Sequence, residues 1–189
     1  MRKALHLMGN LDDVDIEWMA DHGVKQFIAP GTVLIQEGEA INSLYVVLDG
    51  RLSVRTAAMD GREIAALFSG EIVGEISFVD SHLPSASVIA VQDSQVLCVS
   101  RKELTDKLAG DQAFAARFYR AVAVFLADRL RVTVGRLGYG SKQQDADPDQ
   151  LDDASMDEIS LAALRFDDLL RRMTKAPAVT GGRPSGKVA

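Results

Sequence analysis

The feature that most constrains this chain is the punctuation between residues 25 and 100. Short β-rich runs at 32–36, 44–48, 52–55, 63–68, 87–91 and 95–99 alternate there with Gly, Pro, Asp and Asn. Many short strands separated by turns every 8–12 residues or so predict a sandwich, barrel or jelly roll. The glycines at 31, 38, 50, 61, 70 and 74 fall near strand ends, where a left-handed φ or a close backbone approach is wanted. Asp60-Gly61, between two strand-like runs, predicts a tight type I′ hairpin.

Helical periodicity brackets this region. Residues 10–23 read as a short helix that Asn10 or Asp12 can cap, with Ile16, Met19 and Ala20 on one face. After Ser100 a helix is expected over 101–108, then a longer one over 111–137. In the longer one Phe114, Phe118, Val122, Phe125, Leu126, Leu130 and Val134 form a wide apolar stripe, to be buried on the chain's own domain, on a twin, or on both. Residues 138–154 read as an acidic flexible linker, and 155–175 as an amphipathic helix opened by the S-x-x-E pattern of Ser155 and Glu158. The apolar series in that helix is Met156, Ile159, Ala163, Phe166, Leu170 and Met173. The Gly/Pro-rich 176–189 reads as a disordered tail.

Composition removes several function classes. With 189 residues, 47% hydrophobic and 25% charged, the chain is globular, one domain plus an extension. A net charge of −6 argues against a nucleic-acid surface, and no basic recognition helix follows residue 138, so direct DNA binding is not expected. The lone Cys98, in an alternating apolar run, excludes an internal disulfide and reads as a buried structural thiol. His6, His22 and His82 are scattered singly, so no metal set is expected, and no nucleophile–base pairing marks an enzyme. No secretory signal or membrane span is read, which leaves the cytoplasm as the expected compartment.

Three stretches carry a resemblance. The first runs Pro30-Gly31-Thr32 through Glu37-Gly38-Glu39 and on through Asp49-Gly50-Arg51-Leu52; the second is Asp60-Gly61-Arg62-Glu63. The third runs Gly70-Glu71-Ile72-Val73-Gly74-Glu75-Ile76-Ser77-Phe78 to Ser85-Ala86-Ser87-Val88. In order and spacing they resemble the cyclic-nucleotide-binding domain family over roughly residues 12–137. The resemblance implies an α+β, mainly β fold: a jelly-roll β-roll with a short N-terminal helix, a phosphate-cassette turn and a long C-terminal helix.

The third stretch corresponds to the family's phosphate-binding cassette. Gly74 lets the backbone approach closely, Glu75 can accept a ribose hydroxyl, the Ile76 and Ser77 amides face the ligand, and Ser85, Ala86 and Ser87 leave room for it. From spacing alone, Glu75 fits a turn cap and the serines fit plain strand positions equally well. Family members that bind cAMP carry an arginine before the small-Ala-small triplet; here that position is Pro84, with neither a side-chain donor nor an N–H. On the long helix, Arg129 and Thr133 match positions that reach the ligand, or else form the polar edge of a helical seam. Leu67 and Val54 match base-pocket positions. The expectation is a non-enzymatic, homodimeric sensor for cAMP or a related cyclic nucleotide, paired through 111–137 and passing its signal through 155–175 to a protein partner. The alternative is a ligand-silent dimeric adaptor.

Overall fold

The computed structural model of the chain describes residues 5–136 and 153–175, and side chains within 8–135 and 160–173. Residues 138–152 of the expected 138–154 linker and the tail from 176 lie outside the described residues, while 153 and 154 already belong to the last helix. Elements follow in the order α1 (Leu5–Asn10), α2 (Asp13–His22), β1 (Gly23–Ile28), β2 (Val33–Ile35), β3 (Ser43–Asp49), β4 (Arg51–Arg55), β5 (Glu63–Phe68), β6 (Ile72–Val73) and α3 (Glu75–Asp80). They continue with β7 (Ser87–Ala90), β8 (Ser94–Ser100), α4 (Arg101–Gly110), α5 (Gln112–Arg136) and α6 (Asp153–Lys175).

The strands form two antiparallel four-stranded sheets, ordered β1-β8-β3-β6 and β2-β7-β4-β5. Alternation along β3 explains why its sequence is apolar without a break. Leu44, Val46 and Leu48 point to the helices, while Tyr45 and Val47 point to the opposite sheet. The inner core joins Ile28, Ile35, Val47, Leu52, Leu67, Val73, Val88, Ala90 and Val96. The outer core joins α1, α2, α4, α5 and α6 to the helix-facing side of the first sheet. Cys98 pairs with Tyr45 across the β3–β8 ladder and is half-buried rather than buried; desolvation raises its thiol pKa.

Several expectations shift. The helix expected over 10–23 is α2, starting at Asp13 because Asp12 caps it while its own N–H is taken by the Asp15 carboxylate at 2.8 Å; the helix α1 before it was not foreseen. Asp15 is buried, and Arg117 of α5 grips it through two hydrogen bonds of 2.6 and 2.9 Å. Strands β1 and β6 were not foreseen. The two-residue β6 is a strand only through its pairing with Tyr45 and Val46. The β4–β5 connection is longer than a two-residue hairpin: a 3-10 turn at Ala57–Met59 comes first, and then Asp60 (φ 54°) and Gly61 (φ 70°) both take the left-handed conformation.

The last helix, α6, begins at Asp153 and folds back on α1 and α2. Ala162, Leu169 and Met173 are buried in the outer core, and Phe166 and Leu170 pack against it. Ala163, expected in the apolar stripe, is exposed, because the buried face runs through 162, 166, 169 and 173. Arg165 pairs with Asp13 at 2.7 Å and donates to the Met8 and Gly9 carbonyls at the end of α1. Arg172 pairs with Glu17 at 2.7 Å.

Candidate functional site

The site is built where β6 turns into α3. Gly74 makes that turn at φ +91°, a left-handed conformation that strains any residue with a side chain, whereas the Ile41 Cδ1 methyl 2.8 Å from a built Cβ could shift aside. The turn aims Glu75 inward, leaving its side chain 3% exposed, and Ser77 is also buried. Ile76 points outward and is half-exposed. Helix α3 is six residues long and is clamped at its end by Arg101, which donates to the Ser77 carbonyl at 2.9 Å and lies over the Phe78 ring.

Glu75 is met from across the molecule by Arg129 of α5. Its Nη1 donates to Glu75 Oε1 at 2.6 Å, and the guanidinium also lies over the Phe125 ring at 4.8 Å from the centroid. Arg129 remains 30% exposed, so the pair has one buried and one half-wet member. Desolvation raises the Glu75 pKa above the usual carboxylate range. The charge and hydrogen bond of Arg129 and the neighbouring backbone amides pull it back only in part.

Around this pair lies a cavity of about 80 Å³. Its walls are Ile35, Val54, Leu67, Val73 and Val88 from the roll, Gly74, Glu75, Ile76 and Ser77 from the cassette, Pro84, Ser85 and Ala86 from the following loop, and Arg129 as the lid. Most of the expected site residues therefore meet here. Ser87 does not: its hydroxyl accepts the Glu37 N–H at 2.9 Å and it faces a neighbouring open groove. Thr133 does not either, since its hydroxyl donates back to the Arg129 carbonyl at 2.9 Å on the exposed side of α5. His82, the loop cation nearest Pro84 in sequence, is 3.4 Å from Asp80 and almost fully exposed.

Ile35, Val73 and Val88 were missed as site residues. Cross-strand pairing carried the only signal for Val88: it stands opposite Val54. Among the described residues no cluster of three His, Cys, Asp or Glu could hold a metal ion.

Ligand pockets commonly measure roughly 300–1,000 Å³, so this cavity is smaller than a nucleotide-sized guest requires. The arrangement offers one buried acceptor, one guanidinium held over it, two hydroxyls and apolar walls.

Residues 25–111 match the family model described as the cyclic nucleotide-binding domain. A Pycsar effector protein of Xanthomonas perforans is 32% identical over 104 residues, covering 53% of this chain and 31% of the effector. The cyclic AMP receptor protein of Thermus thermophilus is 26% identical over 103 residues, covering 53% of this chain and 48% of the receptor. The chain thus spans less than half the length of these relatives. Among solved structures, a cyclic nucleotide-binding domain from Methylobacillus flagellatus superposes with a TM-score of 0.65 at 20% identity, covering 75% of this chain and 85% of that one, which supports the fold alone. No helix among the described residues is long and apolar enough to cross a membrane. The segment that matches the cyclic nucleotide-binding domain model, residues 25–111, is the one that holds most of the β-roll and the cassette turn.

Proposed function

We propose that this protein is a non-enzymatic regulatory module that takes a cyclic nucleotide or related nucleoside-type ligand beside Glu75 and reports its occupancy through α5. The observation that carries this reading is the Arg129–Glu75 bridge, which joins cassette and long helix at 2.6 Å directly over the cavity. A ligand hydroxyl that competes for Glu75 loosens the only charged tie between α3 and α5 among the described residues, and so biases α5 between a held and a released arrangement. Val54 and Leu67 form the apolar wall for a ring, and Ser77 and Ser85 lie at its edge. Ser87 and Thr133 enter this reading only if the released arrangement turns them inward.

The dimer expected through 111–137 narrows to the far half of α5. Phe114, Phe118 and Phe125 are spent on the chain's own core, whereas Leu130 is 63% and Val134 38% exposed. These two are the positions for pairing with a second copy. Signalling through 155–175 to a partner would use the outer face of α6, where Leu161 and Leu164 are exposed. The proposed compartment is the cytoplasm.

Calorimetry on the full chain with cAMP and cGMP tests the sensor reading. Binding weakened by Glu75→Ala is the expected result, whereas no heat from any cyclic nucleotide or nucleoside rejects it. The adaptor reading is favoured by one observation, Pro84 in the cavity wall, and predicts dimerisation with an empty pocket.

A further inference from the structure

Among the described residues, the cations nearest the cassette are placed elsewhere or already engaged. Arg129 is the only Lys, Arg or His among the described residues of the cavity wall, and its Nη1 is held by Glu75 at 2.6 Å. Arg101 is turned to the far end of α3, where it donates to the Ser77 carbonyl. Arg55 donates to Ser53 Oγ at 3.1 Å, in the wall of a different groove. His82 is exposed beside Asp80. The cavity wall opposite these groups is apolar and includes Pro84.

Charge balance then decides the guest. If an anionic phosphate draws Arg129 to itself, Glu75 is left as a carboxylate 3% exposed with no cation. If Arg129 stays on Glu75, the phosphate has the Ser77 and Ser85 hydroxyls within the wall but no cation. Either way one anion lacks a counter-charge, which is costly in a pocket whose remaining walls are apolar. An uncharged guest leaves the ion pair in place, and its hydroxyl donates to a Glu75 oxygen while its ring packs on Val54 and Leu67.

Resting on the reading of this cavity as a ligand pocket, we infer that its preferred occupant is an uncharged, hydroxyl-bearing ring compound of the nucleoside class rather than the corresponding cyclic phosphate.

The test is calorimetric titration of the full chain with adenosine, guanosine, cytidine and uridine against their 3′,5′-cyclic phosphates. It is run at about pH 8, well above the ordinary carboxylate range, to favour the ionised form of Glu75. The expected result is that at least one nucleoside binds about tenfold or more tightly than its cyclic phosphate. Pro84→Arg should reverse that order by raising cyclic-phosphate affinity about tenfold to a hundredfold, the worth of one hydrogen bond to a charged group, while leaving the nucleoside nearly unchanged. Tighter binding of a cyclic phosphate by the wild-type chain overturns the inference and leaves the sensor reading standing. Cyclic-phosphate binding by Pro84→Arg with no nucleoside bound by either protein also overturns it. Silence of both proteins toward all eight compounds overturns the pocket itself.

Discussion

Removing the guanidinium of Arg129 isolates a single consequence. Arg129→Met keeps the aliphatic stem against Phe125 and deletes the charge that meets Glu75 at 2.6 Å. Breaking a fully buried pair from one side costs about 3–5 kcal/mol; with Arg129 30% exposed the expected cost is lower, about 2–3 kcal/mol at neutral pH. For a chain of this size that is a fall in Tm of roughly 5–10 °C. The fall must depend on pH. Glu75 already binds its proton more tightly folded than unfolded, where 4.5 is the ordinary value. Its neutral form therefore contributes stability that is fully present below about 4.5 and is lost as pH rises through the folded pKa. Without Arg129 that pKa climbs further, and the loss extends to higher pH. Melting followed by calorimetry should therefore show a small difference between Arg129→Met and wild type near pH 5 and a large one near pH 8, both values being assay settings on either side of neutrality. Glu75→Gln in the Arg129→Met background should recover most of the loss at the higher pH, because a neutral amide needs no cation. An equal Tm difference at both pH values, or no recovery in the double variant, would refute the buried-charge reasoning.

Three further outcomes follow from other parts of the molecule. Leu130→Asp with Val134→Asp should give a monomer in sedimentation with Tm changed by less than about 2 °C, whereas Phe125→Asp, buried in the chain's own core, should unfold the protein rather than separate subunits. Leu169→Ala should cost about 2–4 kcal/mol in denaturant melts and expose α1 to hydrogen exchange, since Leu169 is fully buried in the outer core where α6 lies on α1 and α2; an unchanged melt would show α6 to be an appendage. Arg117→Met should lower stability at neutral pH and lose that effect in acid. Burial raises the Asp15 pKa, but the Arg117 hydrogen bonds and charge and the Asp12 N–H bring it below 3.8. Its stabilisation is thus present above that value and lost as pH falls through the folded pKa.

Much of the site was legible because its cues are local. Gly74-Glu75 announces itself as a backbone turn that a side chain at the first position would block, and the small residues Ser85 and Ala86 follow at the spacing the cavity uses. Pro84 was legible for the same reason, as a residue whose missing donor is a covalent fact. Ser87 was misplaced because a strand's period of two does not say which of two openings a hydroxyl faces; the Glu37 N–H decided it. Thr133 was misplaced because a helical hydroxyl satisfies itself on the carbonyl one turn back. That the 155–175 helix folds back on its own domain was not legible from its periodicity; the burial of Ala162, Leu169 and Met173 decides it.

The amino-acid sequence by itself determined the alternation of strands and turns, the glycine that shapes the cassette and the apolar stripe of α5. Each of these follows from dihedral sterics and from the periods of helix and strand, which act over a few residues. Only the tertiary structure decided what each stripe faces. It divided α5 into a half committed to its own core and a half left to solvent, turned α6 back onto α1 and α2, and brought Arg129 to Glu75 across 54 residues of chain. Periodicity sets the direction of a side chain relative to its own element. Which element covers it depends on how the chain's distant parts close on one another, and no local rule contains that.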